Sequence, residues 1–224
     1  MPDAGVSYAK LAKRINAMLS SYTASGRLYE VDLRLRPNGE SGLLVSTVAA
    51  FAEYQQQHAW TWEHQALTRA RFCAGDAAIG EKFESIREQV LRTSRDPVKL
   101  RQEIVEMRQK MRDGHPNRTS LFDIKHDPGG MVDIEFIVQY LVLAHAHDHP
   151  GLTANSGNLA LLKLAGEMGL IEATLAEKAC TAYRALRAAQ HRMRLNNQAA
   201  GRLPPDEMDV SAVLTLWKNL FQPQ

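Results

Sequence analysis

The chain has little cysteine, few aromatics and no long apolar run, and each shortage removes a class of protein. Cys73 and Cys180 stand alone among 224 residues. They lack metal-ligand spacing and cannot form a disulfide framework, which fits a reducing, cytoplasmic setting. No stretch of about eighteen apolar residues occurs and no signal peptide opens the chain, so membrane spanning and secretion are not expected. Neither charge sign dominates: 27 basic against 25 acidic residues leave a net charge of +2. Such a balance offers no global field for nucleic acid or a membrane surface. With 45% apolar and 23% charged residues, the composition is that of an ordinary globular protein long enough to bury a real core.

What is present is mostly helical periodicity. Residues 4–22 place Leu11, Ile15, Met18 and Leu19 on one stripe. Ser46 or Thr47 can cap a helix through Val48, Phe51 and Tyr54. Segment 59–72 carries Trp60, Trp62, Leu67 and Phe72, with the tryptophans expected in the core rather than as a base-stacking platform. Glu63 and Arg69 there are six apart and do not share a stripe. Helices follow at 76–93 and 97–112, then a polar loop at 113–120, a short extended piece at 121–125 and a turn at 127–130. Further helices are expected at 131–147, 155–168, 172–195 and 205–220. His145, His147 and His149 alternate along the chain and point to different sides of a helix, which suits an exposed helix end better than a metal site. Arg184, Arg187, His191 and Arg194 form a basic stripe, either a solvated face or a docking surface.

One stretch, residues 28–45 (LYEVDLRLRPNGESGLLV), departs from this pattern. Its period-2 alternation predicts a strand. Leu28, Glu30, Asp32, Arg34 and Arg36 would lie on one face, and Tyr29, Val31, Leu33 and Leu35 on an apolar face packed on a core. Pro37, Asn38 and Gly39 turn the chain, Gly39 and Gly42 serve turning and close packing, and 42–45 is expected to return as a strand. An Asp flanked by arginines suits a metal-bound phosphate, since carboxylate oxygens are the hard ligands Mg²⁺ prefers and Arg forks fit phosphate. An edge strand with solubilising cross-strand charge pairs is the structural alternative.

DLRLRPNGESGLLV resembles the Asp-x-Arg-Leu-Arg-Pro-x-Gly-x-x-Gly signature of the bacterial glutamine synthetase adenylyltransferases, a family of nucleotidyltransferases. DIKHDPGGMVDIEF, at residues 123–136, resembles that family's second signature. WTWEHQALTRAR looks like the AMP-adding, C-terminal copy of the two nucleotidyltransferase units such enzymes contain. The resemblance implies a metal-holding, catalytic role for Asp32. It further implies nucleotide contacts from among Arg34, Arg36, Lys125, Gly129, Gly130, Asp133 and Glu135. Gly129–Gly130 at a helix start suggests exposed N–H groups beside an anion, although a plain capped turn explains the same residues. Asp133 and Glu135 diverge by about 200° on a helix, so one would face the site and the other a structural partner.

The resemblance also implies ATP as substrate with Mg²⁺, glutamine synthetase as target, and the PII signalling protein and glutamine as regulators. Yet the family's Gly-Ser and Asp-x-Asp elements are missing: no D-x-D triplet occurs anywhere. A single carboxylate holds Mg²⁺ poorly, so the chain by itself is expected to be inactive. A helix and two strands cannot complete a sheet domain, which suggests a piece truncated on its N-terminal side. The expected fold is mainly α: residues 1–46 as the remnant of a nucleotidyltransferase α/β domain (a helix plus short antiparallel strands), and 47–224 as a helical-bundle domain. Two alternatives remain: a non-catalytic docking module for glutamine synthetase, PII or glutamine, and a fragment of the related enzyme that uridylylates PII.

Overall fold

In a computed structural model, the structure describes residues 4–27, 29–154, 156–197 and 201–222. Among them it contains nine α-helices and two minimal antiparallel sheets. Helix α1 spans Ala4–Ser20, and strands β1 (Tyr22–Thr23) and β2 (Gly26–Arg27) follow. Helices α2 (Val48–Gln57), α3 (Thr61–Leu67), α4 (Ala77–Leu91) and α5 (Pro97–Asp113) lead to β3 (Phe122–Asp123). Then come α6 (Met131–His145), α7 (Asn158–Glu167), α8 (Ala173–Leu195), β4 (Arg202–Leu203) and α9 (Ser211–Phe221).

Local chemistry sets the helix starts. The side chains of Thr47, Asp76 and Asp96 accept from the N–H groups of Ala50, Ile79 and Lys99, each satisfying a donor that has no partner inside its helix. Pro97 follows Asp96 at the first helical position, where its missing N–H costs nothing.

The core is built around α6. Its run MVDIEFIVQYLVLAH is apolar almost all round, and eleven of its residues are buried, as such a helix must be. Helices α3, α5, α7, α8 and α9 all pack against it. Residues Ala176, Ala179, Tyr183, Leu186, Ala189 and Met193 of α8 recur at three and four, and these buried positions line the face that meets α7 and α9. Gly166 of α7 permits a close approach, since a Cβ there would lie 3.0 Å from that of Ala176.

The N-terminal part differs from expectation. Residues 29–36 form no strand, and neither do 42–45; Leu28 lies outside the described residues. The face expected to pack on a core is open, with Tyr29, Leu33 and Leu35 exposed. A strand is stable only when its N–H and C=O groups meet a neighbour, and no described strand runs beside this segment. The small hairpin that does form joins β1 to β2, pairing Tyr22 with Arg27. Helix α1 buries no residue, and its stripe of Leu11, Ile15 and Met18 faces outward. Trp60, expected in the core, is 70% exposed, and Trp62 is also exposed. Trp60 is the extended N-cap of α3 (φ −80, ψ 159), outside the helical register that its spacing suggested.

Candidate functional site

Residues 30–40 form an irregular loop around an open cleft of about 760 Å³, lined by Glu30, Asp32, Arg34, Arg36 and Glu40 together with Val31 and Leu33. Arg36 shapes this loop. Its guanidinium donates to the carbonyls of Leu33 (2.6 Å), Glu40 (3.0 Å) and Gly42 (3.3 Å). Asn38 and Gly39 adopt left-handed conformations (φ 61 and 55). A side chain at Gly42 would collide with the Pro37 carbonyl at 1.8 Å. These glycines therefore turn and pack the chain.

Within the cleft Asp32 and Arg34 form a fork. Arg34 donates through Nη2 to Oδ2 at 2.6 Å, through Nε to both oxygens, and through its backbone N–H to Oδ1 at 2.9 Å. These bonds, the side-chain ones foremost, hold the Asp32 carboxyl down at about 2, so it stays charged at any working pH. The pair is open to solvent, with Asp32 52% exposed.

Magnesium needs a near-octahedral shell of hard oxygens. Asp32 already spends both oxygens on Arg34. Among the described residues no group of three or more His, Cys, Asp or Glu side chains could hold a metal ion. The residues present do not build a complete magnesium site.

The second signature sits elsewhere and does a different job. Asp133 is buried and forms an ion pair with buried Arg108 (Nε to Oδ1, 2.6 Å), while its Oδ2 accepts the Gly129 N–H at 2.7 Å. Arg108 also donates to the His126 carbonyl at 2.7 Å. The amides at the start of α6 are all engaged: Gly130 with Asp127, Met131 with Ile124, Val132 with Lys125, and Asp133 with Gly130. A Cβ on Gly130 would come within 3.0 Å of three carbonyl oxygens, and one on Gly129 within 2.7 Å of Val210.

The expected open anion site at Gly129–Gly130 is therefore corrected. The bend closes on itself, and Gly129, Gly130 and Asp133 hold it, with the backbone N–H groups of residues 129–133 all engaged. Glu135 points away from this cluster and pairs with Arg69 at 3.2 Å. Lys125 is exposed and borders a different cavity, with Arg194 of the basic stripe. No residue of 123–136 lines the Asp32 cleft.

Arg108 and Arg87 were not singled out from sequence. Each interrupts an apolar stripe, Arg108 after Leu100 and Ile104, and Arg87 between Phe83 and Val90. That interruption was the available signal.

A model of glutamate-ammonia ligase adenylyltransferase matches residues 2–86, and one described as GlnD PII-uridylyltransferase matches residues 99–218. Proteins named bifunctional glutamine synthetase adenylyltransferase/adenylyl-removing enzyme match nearly the whole chain. That of Nitrosomonas europaea is 54% identical over 98% of this chain and 25% of its own length. Those of Bordetella bronchiseptica and Aromatoleum aromaticum are each 55% identical over 98% of this chain and 24% of their own. By their names these relatives are nucleotidyltransferases. The chain belongs to the glutamine synthetase adenylyltransferase family and spans about a quarter of the length of the relatives it matches. The uridylyltransferase resemblance is confined to residues 99–218, from α5 to α9, so that part of the helical body is of a kind both families use.

Proposed function

We propose that this chain is the part of an AMP-transferring enzyme that carries one edge of the nucleotide site and the helical body behind it. The whole activity is transfer of AMP from ATP to a tyrosine of glutamine synthetase in the cytoplasm, in a protein that answers to PII and glutamine. The observation that supports this most is the Asp32–Arg34 fork, a permanently charged carboxylate beside a guanidinium on an exposed, pinned loop. In this reading Asp32 is one carboxylate of an ATP–Mg²⁺ site, shared with acidic residues that the described part of this chain does not supply. Arg34 and Arg36 lie within reach of phosphates there. Residues 1–46 then belong with the catalytic domain and 47–224 form the helical domain.

The chain alone is proposed to be inactive. Incubation with glutamine synthetase and labelled ATP·Mg²⁺ should leave the target unlabelled, and labelling above background would overturn that. A second reading is a docking module without catalysis, favoured because most of the chain is a closed helical body with no metal cluster among its described residues. Calorimetry with glutamine synthetase, PII and ATP·Mg²⁺ in separate runs separates the two. Nucleotide binding lost in Asp32→Asn supports the first; protein binding alone, unchanged by that substitution, supports the second.

A further inference from the structure

The amides at the start of α6 are engaged, and the start of α7 is built differently. The N-cap of α7 is Gly157, at φ 86, which has no side chain to cap the first turn. It lies in a cavity of about 430 Å³ whose lining, among the described residues, includes Arg69, Arg71 and Arg187 and no carboxylate. Among the described residues Arg187 bonds neutral Gln190 (3.0 Å) and forms no ion pair. The Arg71 guanidinium makes no ion pair or hydrogen bond with the described residues. Of the three, among the described residues, Arg69 alone has a counter-charge, Glu135 at 3.2 Å. Buried Arg87, paired with Glu84 at 3.6 Å, donates to the carbonyls of Leu67 (3.0 Å), Thr68 (2.9 Å) and Thr153 (2.9 Å), tying the end of α3, just before Arg69, to the approach of α7. The backbone on the two sides is thus joined at Thr68 and Thr153.

We propose that this cavity binds a phosphate group, free or in a small phosphoester. Several guanidinium forks around a helix N-terminus suit a dianion with many oxygens. A lone carboxylate is already satisfied by a single fork. The volume exceeds that of inorganic phosphate, and the apolar side chains of Val138, Leu159 and Leu161 in the same wall offer a place for an organic body. The site shares no residue with the Asp32 cleft. It does not depend on the catalytic reading.

The test is calorimetry on the full chain in EDTA, with inorganic phosphate, pyrophosphate and AMP as separate titrants. At least one should bind saturably at one site per chain. The double variant Arg71→Gln/Arg187→Gln should weaken it about tenfold or more, with an unchanged melting temperature showing that the fold is kept. Arg34→Gln in the other cleft should leave it intact. Tighter binding of AMP than of phosphate assigns the apolar wall to the ester; equal binding assigns the site to the phosphate alone. No saturable binding of any titrant, binding unchanged in the double variant, or binding lost in Arg34→Gln overturns the proposal.

Discussion

Removing the Asp133 carboxylate is the sharpest test of the claim that the second signature holds the fold together. Asp133 and Arg108 are both almost wholly buried, and their contact is 2.6 Å. In Asp133→Ala the guanidinium stays in the core with one bond left, to the His126 carbonyl, and the Gly129 N–H loses its acceptor. Breaking one side of a buried pair costs about 3–5 kcal/mol, because a charge is left uncompensated. For a chain of this size that lowers the melting temperature by about 6–20 °C.

The double variant Arg108→Met/Asp133→Leu removes both charges. It should recover most of the loss, since apolar residues of similar size replace buried pairs at little cost. Urea unfolding followed by circular dichroism reads both, as shifts in midpoint at constant slope. If Asp133→Ala unfolds within about 1 kcal/mol of the parent, the pair is not structural. A loss of nucleotide binding at unchanged stability would return Asp133 to the functional surface.

Other outcomes follow from the same geometry. Gly130→Ala has an ordinary φ of −72 but places a Cβ against three carbonyl oxygens at 2.9–3.0 Å, so it should cost about 1–3 kcal/mol in the same urea assay. An NMR titration of the Asp32 carboxyl should show a midpoint near 2 that rises toward the ordinary carboxylate range in Arg34→Ala; no movement would mean the fork does not persist in solution. His64, His126 and His145 are all held below the usual imidazole range, burial being the first cause in each. Burial, with Arg95 beside the ring, disfavours the charged form of His64, whose Nε2 lies 2.9 Å from the Gln55 carbonyl and whose Nδ1 lies 3.4 Å from Arg95. A depressed folded pKa gives stability that is present above the unfolded value of about 6.5 and lost as pH falls below it. The melting temperature should therefore decline from about pH 6.5 downward, and a flat profile to pH 5 would refute it.

The sequence disclosed what is local. Helix starts near residues 47, 76 and 97 were legible from the first apolar repeats, with Ser46 or Thr47 offered as a cap; the structure adds Asp76 and Asp96 as caps. The mainly helical class followed from the same repeats. The 28–45 strands were misread because alternation describes only one side of a pairing, and the partner is decided elsewhere. Strand β4, two residues paired with β3 across eighty positions, was too short to carry any pattern.

Asp32 and Arg34 could be seen together in advance because they are two residues apart and their fork is local. What sequence could not give was the destination of the long-range guanidiniums. Arg108 reaches 25 residues to Asp133, and Arg87 reaches 66 to Thr153. A charged group on an apolar stripe is stable only if buried acceptors meet it. The stripe announces that such acceptors exist without saying which. Here they are the Asp133 carboxylate in the first turn of α6 with the His126 carbonyl before it, and the carbonyls of Leu67 and Thr68 at the end of α3 and of Thr153 before α7. The same device therefore has opposite results at the two helices. At α6 the buried cation, the carboxylate and the bend close together and consume every amide. Before α7 the buried cation holds the carbonyls of Leu67, Thr68 and Thr153 and pairs with Glu84 at 3.6 Å, and the amides at the start of α7 are not drawn into that cluster. Which helix start can receive an anion is thus set by what each buried arginine finds, and glycine content alone does not decide it.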